Sequence, residues 1–214
     1  MSAVPETVLF DYWRSSASYR VRIALNLAGV AYRSVPVDLL GDEQTGEDHL
    51  ARNPQGLVPV LDIDGLRLTQ SLAIAEYLHE TRPQAGLLPD DAAGRARIRM
   101  LAHAIAMEVH PVCNLRVVAS VQQLCGGDED VRSDWMKHLI SQGLEAFECL
   151  LNTGPAGRFC HGNRPSLVDI CLIPQLYNAA RWGVDTSRLT RTTSVAAACT
   201  QVDAFARAAP DNVR

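Results

Sequence analysis

The order of strand and helix patterns along the chain predicts a small α/β domain followed by an all-helical domain. Three observations lead there. Residues 8–81 alternate between strand and helix periodicities in the order β-α-β-α-β-β-α. Asp64-Gly65 separates two apolar runs, the strongest short hairpin signal. Beyond Pro89 no stretch reads as a strand. The expected boundaries are residues 1–83 for the α/β domain, 84–88 for a linker and 89–214 for the helical domain.

Val8–Tyr12 is a short apolar strand, and the helical run Ser18–Leu27 ends at Gly29, a residue suited to the position just past a helix. Tyr32–Leu39 alternates as a strand does, with Pro36 marking it as an edge. A polar stretch, Gly41–Asp48, precedes a short helix around His49–Arg52. Pro59–Ile63 and Leu66–Leu68 form the hairpin arms. Ser71–Thr81 is a helix with Leu72, Ile74, Ala75 and Leu78 on its apolar face. One right-handed βαβ unit followed by a hairpin and a helix makes a four-stranded domain. Arg82-Pro-Gln-Ala-Gly86 and then Pro89 break the pattern. Ala92–Leu124 is a long helical pattern that Pro111 is expected to kink or break. Gly126–Asp130 is a loop, Trp135–Leu151 is amphipathic, and Ser166-Leu-Val-Asp169 has capping-box spacing before the apolar helix Leu167–Ala180.

Composition narrows the function. The chain has 214 residues, 47% hydrophobic and 21% charged, with a net charge of −4 and no basic stripe, so nucleic acid is not an expected partner. No apolar run is long enough for a membrane span and no signal peptide is recognisable, so no membrane partner and a cytoplasmic location are expected. All six cysteines (113, 125, 149, 160, 171 and 199) lie in the second half without a C-x-x-C pair, which favours reduced, mostly buried thiols. His110 and Cys113 are spaced like metal ligands, but no second pair follows, and no metal is expected. Residues 1–85 carry 7 basic and 11 acidic side chains, and residues 86–214 carry 13 of each. An anion site in the first domain must therefore be built from a few placed arginines.

The stretch Arg14-Ser-Ser-Ala-Ser-Tyr-Arg-Val-Arg-Ile-Ala-Leu25 points to such a site. A strand runs directly into a Ser-rich helix start, which brings free backbone N–H groups and the positive end of a helix dipole beside hydroxyl donors. Ser15, Ser16 and Ser18 also compete to be a plain helix cap. Arg14 stands immediately before them.

These residues resemble a cytosolic glutathione S-transferase, and the zeta class in particular, which includes maleylacetoacetate and maleylpyruvate isomerases. The motifs that carry the resemblance are Arg14–Leu25, Asn53-Pro-Gln-Gly-Leu-Val-Pro-Val-Leu61, Gln70-Ser-Leu-Ala-Ile-Ala-Glu-Tyr-Leu78 and the capping box Ser166–Asp169, in the family's order. The likeness runs from about Val8 to Pro210. The first motif is specific to the zeta class, and the second and third belong to glutathione transferases broadly. The resemblance implies a thioredoxin-like N-terminal domain ahead of the helical one, glutathione as cofactor, a small dicarboxylate substrate and a homodimer.

It also implies site roles. Ser15, with Ser16 second, is expected to stabilise the glutathione thiolate. Val58, before a cis Pro59, would pair with the cysteinyl backbone, and Gln70 and Ser71 would hold the γ-glutamyl carboxylate. Gln44, His110 and Asn114 would be further glutathione contacts. Arg14 and Arg181, the latter in Asn178-Ala-Ala-Arg-Trp-Gly-Val-Asp185, are expected as catalytic and substrate-binding arginines, with Arg116 a third. Arg20 and Arg22 are expected in salt bridges, either structural or on the glutathione side. Alanine at position 17, where zeta proteins commonly carry cysteine, argues against thiol-transfer chemistry there.

The implied reaction is cis-to-trans isomerisation of a maleyl group by reversible thiolate addition, converting maleylacetoacetate to fumarylacetoacetate. Maleylpyruvate isomerisation, general glutathione transfer, dehalogenation of α-halo acids and a non-catalytic glutathione-transferase-like module are the alternatives. The presence of Ser15, Val58, Gln70 and Ser71 together argues for a working site.

Overall fold

In the computed structural model, which describes residues 6–155 and 157–214, the chain divides into two units: Met1–Leu87 with Val202–Arg214, and Leu88–Gln201. Residues 202–214, at the end of the helical part by sequence, cluster with the first unit. The side chains of Arg22 and Asn26 reach the carbonyls of Ala208 and Ala204 there.

The first unit is built on a four-stranded sheet in the order β2-β1-β3-β4, with β1 Val8–Asp11, β2 Arg33–Pro36, β3 Val60–Ile63 and β4 Leu66–Thr69. β1 runs parallel to β2, pairing Val8 with Arg33, and antiparallel to β3, pairing Leu9 with Leu61. β3 and β4 form the hairpin, and Asp64 and Gly65 at its tip have φ of 54° and 78°, the left-handed pair that a tight two-residue turn requires. Pro36 lies on the edge strand, where its missing N–H costs no ladder bond. The Asp64 carboxylate is tied to the end of the following helix by a bidentate bond from Arg82 (2.6 and 2.7 Å) and by the Tyr77 hydroxyl (2.6 Å). Those bonds hold its carboxyl below the usual range.

The sheet is accompanied by α1 Ser16–Leu27, α2 Glu47–Arg52 and α3 Ser71–Thr81. Leu9, Ile23, Leu25, Leu61, Ile63, Ile74 and Leu78 are wholly or almost wholly buried and form the core. α1 ends as expected, with Gly29 at φ 67° and the Val30 N–H returning to the Leu25 carbonyl. The outer strand β2 is shorter than the predicted 32–39, and a 3₁₀ turn, Glu43–Thr45, appears in the polar stretch after it.

The second unit contains α4 Ala92–His103, a π-helical turn Ala104–Val109, α5 His110–Val112, α6 Leu115–Leu124, α7 Glu129–Asn152, α8 Leu167–Arg181 and α9 Thr190–Thr200. The predicted break at Pro111 is displaced. The helix runs through Pro111 and stops at Cys113–Asn114, where its direction changes by 43°. The π turn just before Pro111, in which the His110 N–H bonds the Ile105 carbonyl, re-registers the carbonyls that a proline would otherwise meet. Gly143 of α7 gives that turn room, because a Cβ there would lie 2.2 Å from the Val109 Cγ2. α10, Asp203–Ala208, returns to the first unit and packs on α1.

Two buried carboxylates organise the helix starts. Asp169 completes the capping box: its carboxylate accepts from the Ser166 N–H and hydroxyl (2.8 Å each) and from the Cys160 N–H (3.0 Å). Burial pushes its carboxyl up despite these bonds. Glu148 of α7 caps α9 from outside, taking the N–H groups of Arg191 and Thr192 and the Thr192 hydroxyl. Burial raises the Glu148 carboxyl, but those bonds outweigh it and hold the group below its ordinary range. Of the cysteines expected to be mostly buried, Cys160, Cys171 and Cys199 are, whereas Cys113 is half-buried and Cys125 and Cys149 are exposed. The exposed pair lies at the end of α6 and on the outer side of α7.

Replacing Asp169 with alanine removes the acceptor for three buried donors. The expected loss is about 2 kcal/mol or more, read as a lower urea midpoint with an unchanged denaturant slope.

Candidate active site

The site begins where β1 ends. Asp11, Trp13 and Arg22 fix the turn between β1 and α1. The Arg22 guanidinium is almost fully buried and donates to the Asp11 carboxylate at 2.6 Å, to the Trp13 carbonyl at 2.8 Å and to the Ala208 carbonyl at 3.0 Å. It also lies over the Tyr19 ring. Ser34 of β2 donates to the other Asp11 oxygen at 3.1 Å. Of the two arginines expected in salt bridges, structural or on the glutathione side, Arg22 forms a structural one, and its bond to Trp13 extends it to the turn itself.

Ser15 follows on that turn, its N–H bonded to the Tyr12 carbonyl at 2.9 Å. It is the N-cap of α1, with its hydroxyl oxygen accepting from the Ser18 N–H at 3.2 Å. Capping occupies an oxygen lone pair and leaves the hydroxyl proton to be donated outward. The capping role and the anion-donor role, alternatives in the sequence, are compatible in one residue. Ser16 is the first helical residue and is half-buried. Arg14 donates to the Tyr12 hydroxyl at 3.3 Å and stacks over the Tyr12 and Trp13 rings at 5.8 and 5.2 Å. It has no ion-pair partner among the described residues, so its charge is held by aromatic faces and is not neutralised.

The second cluster lies around the start of β3 and of α3. Val58–Pro59 is a cis peptide, as the resemblance implies. The loop entering it is pinned through one carbonyl: Leu57 accepts from His49 Nε2 at 3.0 Å and from Asn53 Nδ2 at 2.8 Å, which places the proton of His49 on Nε2. Asn53 Oδ1 accepts from the Gln55 N–H, and Gly56 has φ 63°, its Cα facing the Gln44 carbonyl so closely that a Cβ would lie 3.2 Å from that oxygen. The structure thereby brings Gln44 against the loop that leads to Val58. Gln44 Oε1 is buried with no hydrogen-bond partner among the described residues.

Gln70 has φ 68° and ψ 108°, a strained conformation for a residue with a side chain, and its amide donates to Gln55 Oε1 at 2.8 Å. Ser71 opens α3, buried to 7% exposure, and its oxygen accepts from Arg20 Nη1 at 3.3 Å. Sequence reasoning did not find the contacts of Gln55 and Arg20. The signal for Arg20 was there in part, since an arginine two residues before Arg22 sits inside an otherwise apolar helix.

The remaining expected residues belong to the second unit. His110 starts α5 and is half-buried. Asn114 is the N-cap of α6 and accepts from the Arg116 N–H at 3.2 Å. The Arg116 side chain is exposed, as is that of Arg181, the last residue of α8, which contacts Asn178 Oδ1 at 3.4 Å.

The first unit thus offers two hydroxyls at helix starts, each accepting a bond from the protein and left with a proton to give. Comparison with known proteins identifies the setting. Residues 5–80 match the family model for the N-terminal domain of glutathione S-transferases. The whole chain is 59% identical over 209 residues to the maleylacetoacetate isomerase of Rhizobium meliloti, covering 98% of each chain. The chain belongs to the glutathione S-transferase family.

Within the family it stands with the zeta class. The holo structure of a maleyl pyruvate isomerase, a bacterial zeta-class glutathione S-transferase, superposes with a TM-score of 0.93 at 42% identity, covering 96% of this chain and 97% of that one. The maleylacetoacetate isomerase of Methylobacterium extorquens AM1, solved with bound malonate and glutathione, superposes with a TM-score of 0.93 at 39% identity, covering 97% and 98%. The glutathione S-transferase fold expected from the sequence is therefore the fold observed.

Removing the Arg22 cation leaves Asp11 charged and buried. Arg22→Met is expected to cost about 3–5 kcal/mol of stability, measured by chemical denaturation.

Proposed function

We propose that this protein is a glutathione-dependent cis-trans isomerase that converts maleylacetoacetate to fumarylacetoacetate. The observation that carries the reading is Ser15: a hydroxyl whose oxygen caps α1 and whose proton is left to donate, in a chain matching a maleylacetoacetate isomerase almost end to end. The donor set fits glutathione. Its thiolate calls for a hydroxyl and a helix start, and the backbone N–H of its peptide for an acceptor such as the buried Gln44 Oε1. Its γ-glutamyl carboxylate suits Ser71 at the head of α3.

When bound, glutathione supplies a thiolate that adds reversibly to the maleyl double bond, leaving a single bond about which the substrate can rotate. The protein's part is to hold charge. Ser15, with Ser16 beside it, donates to the sulfur and lowers its pKa below the value of about 8.5 for a free thiol. Val58 and Pro59 align the cysteinyl backbone, Gln70 and Ser71 hold the γ-glutamyl end, and Gln44, His110 and Asn114 complete the set. Arg14, Arg116 and Arg181 take the substrate carboxylates and the negative charge that builds on the neighbouring carbonyl oxygen. The aromatic seat of Arg14 supports this role, since no protein carboxylate competes for it among the described residues. Bound malonate in the Methylobacterium relative supports carboxylate recognition.

We place the enzyme in the cytoplasm as a homodimer serving tyrosine breakdown, a reading supported by its zeta-class membership. The likeness to a maleyl pyruvate isomerase favours a second reading, with maleylpyruvate as substrate and the same chemistry.

The deciding assay follows the ultraviolet absorbance of maleylacetoacetate and of maleylpyruvate with and without glutathione. Glutathione-dependent turnover is expected, faster on maleylacetoacetate; turnover of neither compound contradicts the proposal. Ser15→Ala is expected to lower kcat/KM about 10²-fold or more and to move the acid limb of its pH profile upward, because the thiolate loses a donor. Arg181→Ala is expected to raise KM for the maleyl substrate and leave glutathione affinity unchanged; unchanged kinetics remove it from the site.

A further inference from the structure

We infer that Arg20 is a positioning residue for glutathione, acting through Ser71 on the γ-glutamyl end. The inference rests on the glutathione-binding reading above and extends it to a buried residue that stands behind Ser71. Arg20 lies in the second turn of α1, 2% exposed, and its Nη1 donates to Ser71 Oγ across 51 positions of sequence. A serine hydroxyl has one proton. With an oxygen lone pair taken by a guanidinium, which can only donate, Ser71 cannot serve as acceptor along that direction, and its proton turns to another acceptor. At the head of α3 that acceptor is the ligand carboxylate. The chain Arg20–Ser71–carboxylate then polarises in one sense, a full positive charge behind a neutral donor in front of an anion. The nearby charge adds to the partial charge of the helix start in surroundings that water screens little.

The arrangement repeats the logic of Ser15, where a backbone N–H occupies the oxygen and frees the proton. At Ser71 the group behind the hydroxyl is charged, which suits the full carboxylate it would face.

The test is calorimetric binding of glutathione and of cysteinylglycine, which lacks the γ-glutamyl group, to the wild type and to Arg20→Met, Ser71→Ala and the double variant. The maleyl substrate is left out. Arg20→Met is expected to weaken glutathione binding about tenfold or more and to leave cysteinylglycine binding unchanged. In the Ser71→Ala background, Arg20→Met should have little further effect. Arg20→Lys, which keeps a donor cation, should recover part of the affinity; it serves in place of Arg20→Met if that variant does not fold. Equal losses for both ligands, or losses that add fully with Ser71→Ala, overturn the role of Arg20 while the glutathione site stands. A wild type that binds no glutathione overturns the site and the inference together.

Discussion

The Arg22 guanidinium bonds one carboxylate and two backbone carbonyls, and these acceptors come from three separate places in the chain. Asp11 ends the first strand, Trp13 lies in the turn that leads to Ser15, and Ala208 belongs to the helix near the end of the sequence. Both charges are buried, so each has lost its hydration, and only close partners make that tolerable. The geometry around Arg22 is therefore narrow. It sets where β1 stops and how the chain turns into α1, and it seats α10 against that helix. The turn is tied to this centre, since the Trp13 carbonyl is bonded two residues before Ser15 and the Ser15 N–H is itself bonded to Tyr12.

From that turn onward, the chemistry depends on which partner a hydroxyl accepts from. A free serine in water donates and accepts indifferently. Ser15 and Ser71 have both lost that freedom, one to a backbone N–H and one to a guanidinium. Each keeps its proton, which the donor behind it cannot accept and which is therefore left for another acceptor. An anion bound there, as proposed, would find donors that the protein's own groups do not use up. In the stretch from Asn53 to Pro59 the backbone is held in a similar way, since two side chains share the Leu57 carbonyl just before the cis bond.

Much of this was legible in the sequence because it is local. The hairpin tip at Asp64-Gly65, the end of α1 at Gly29 and the capping box Ser166–Asp169 are each written in neighbouring residues, and each appears as read. The features that escaped are non-local. The N-cap position before α9 is Leu189, which has no capping side chain, and the helix receives its cap from Glu148 on another helix. The break expected at Pro111 moved to Asn114 because a π turn absorbs the proline, and nothing in the pattern of 104–109 announces that turn. In the site, the serines, Gln70 and Pro59 were visible as motif residues. The bond from Arg20 to Ser71 was not, because it joins two helices whose spacing only the fold determines.

The proposed chemistry needs a thiol made more acidic by a hydroxyl at a helix start. Its most direct test is a pH titration of the thiolate absorbance of glutathione bound to the wild-type protein. The expected midpoint lies clearly below that of the free thiol, about 8.5. A bound thiol that titrates at or above the free value would contradict it.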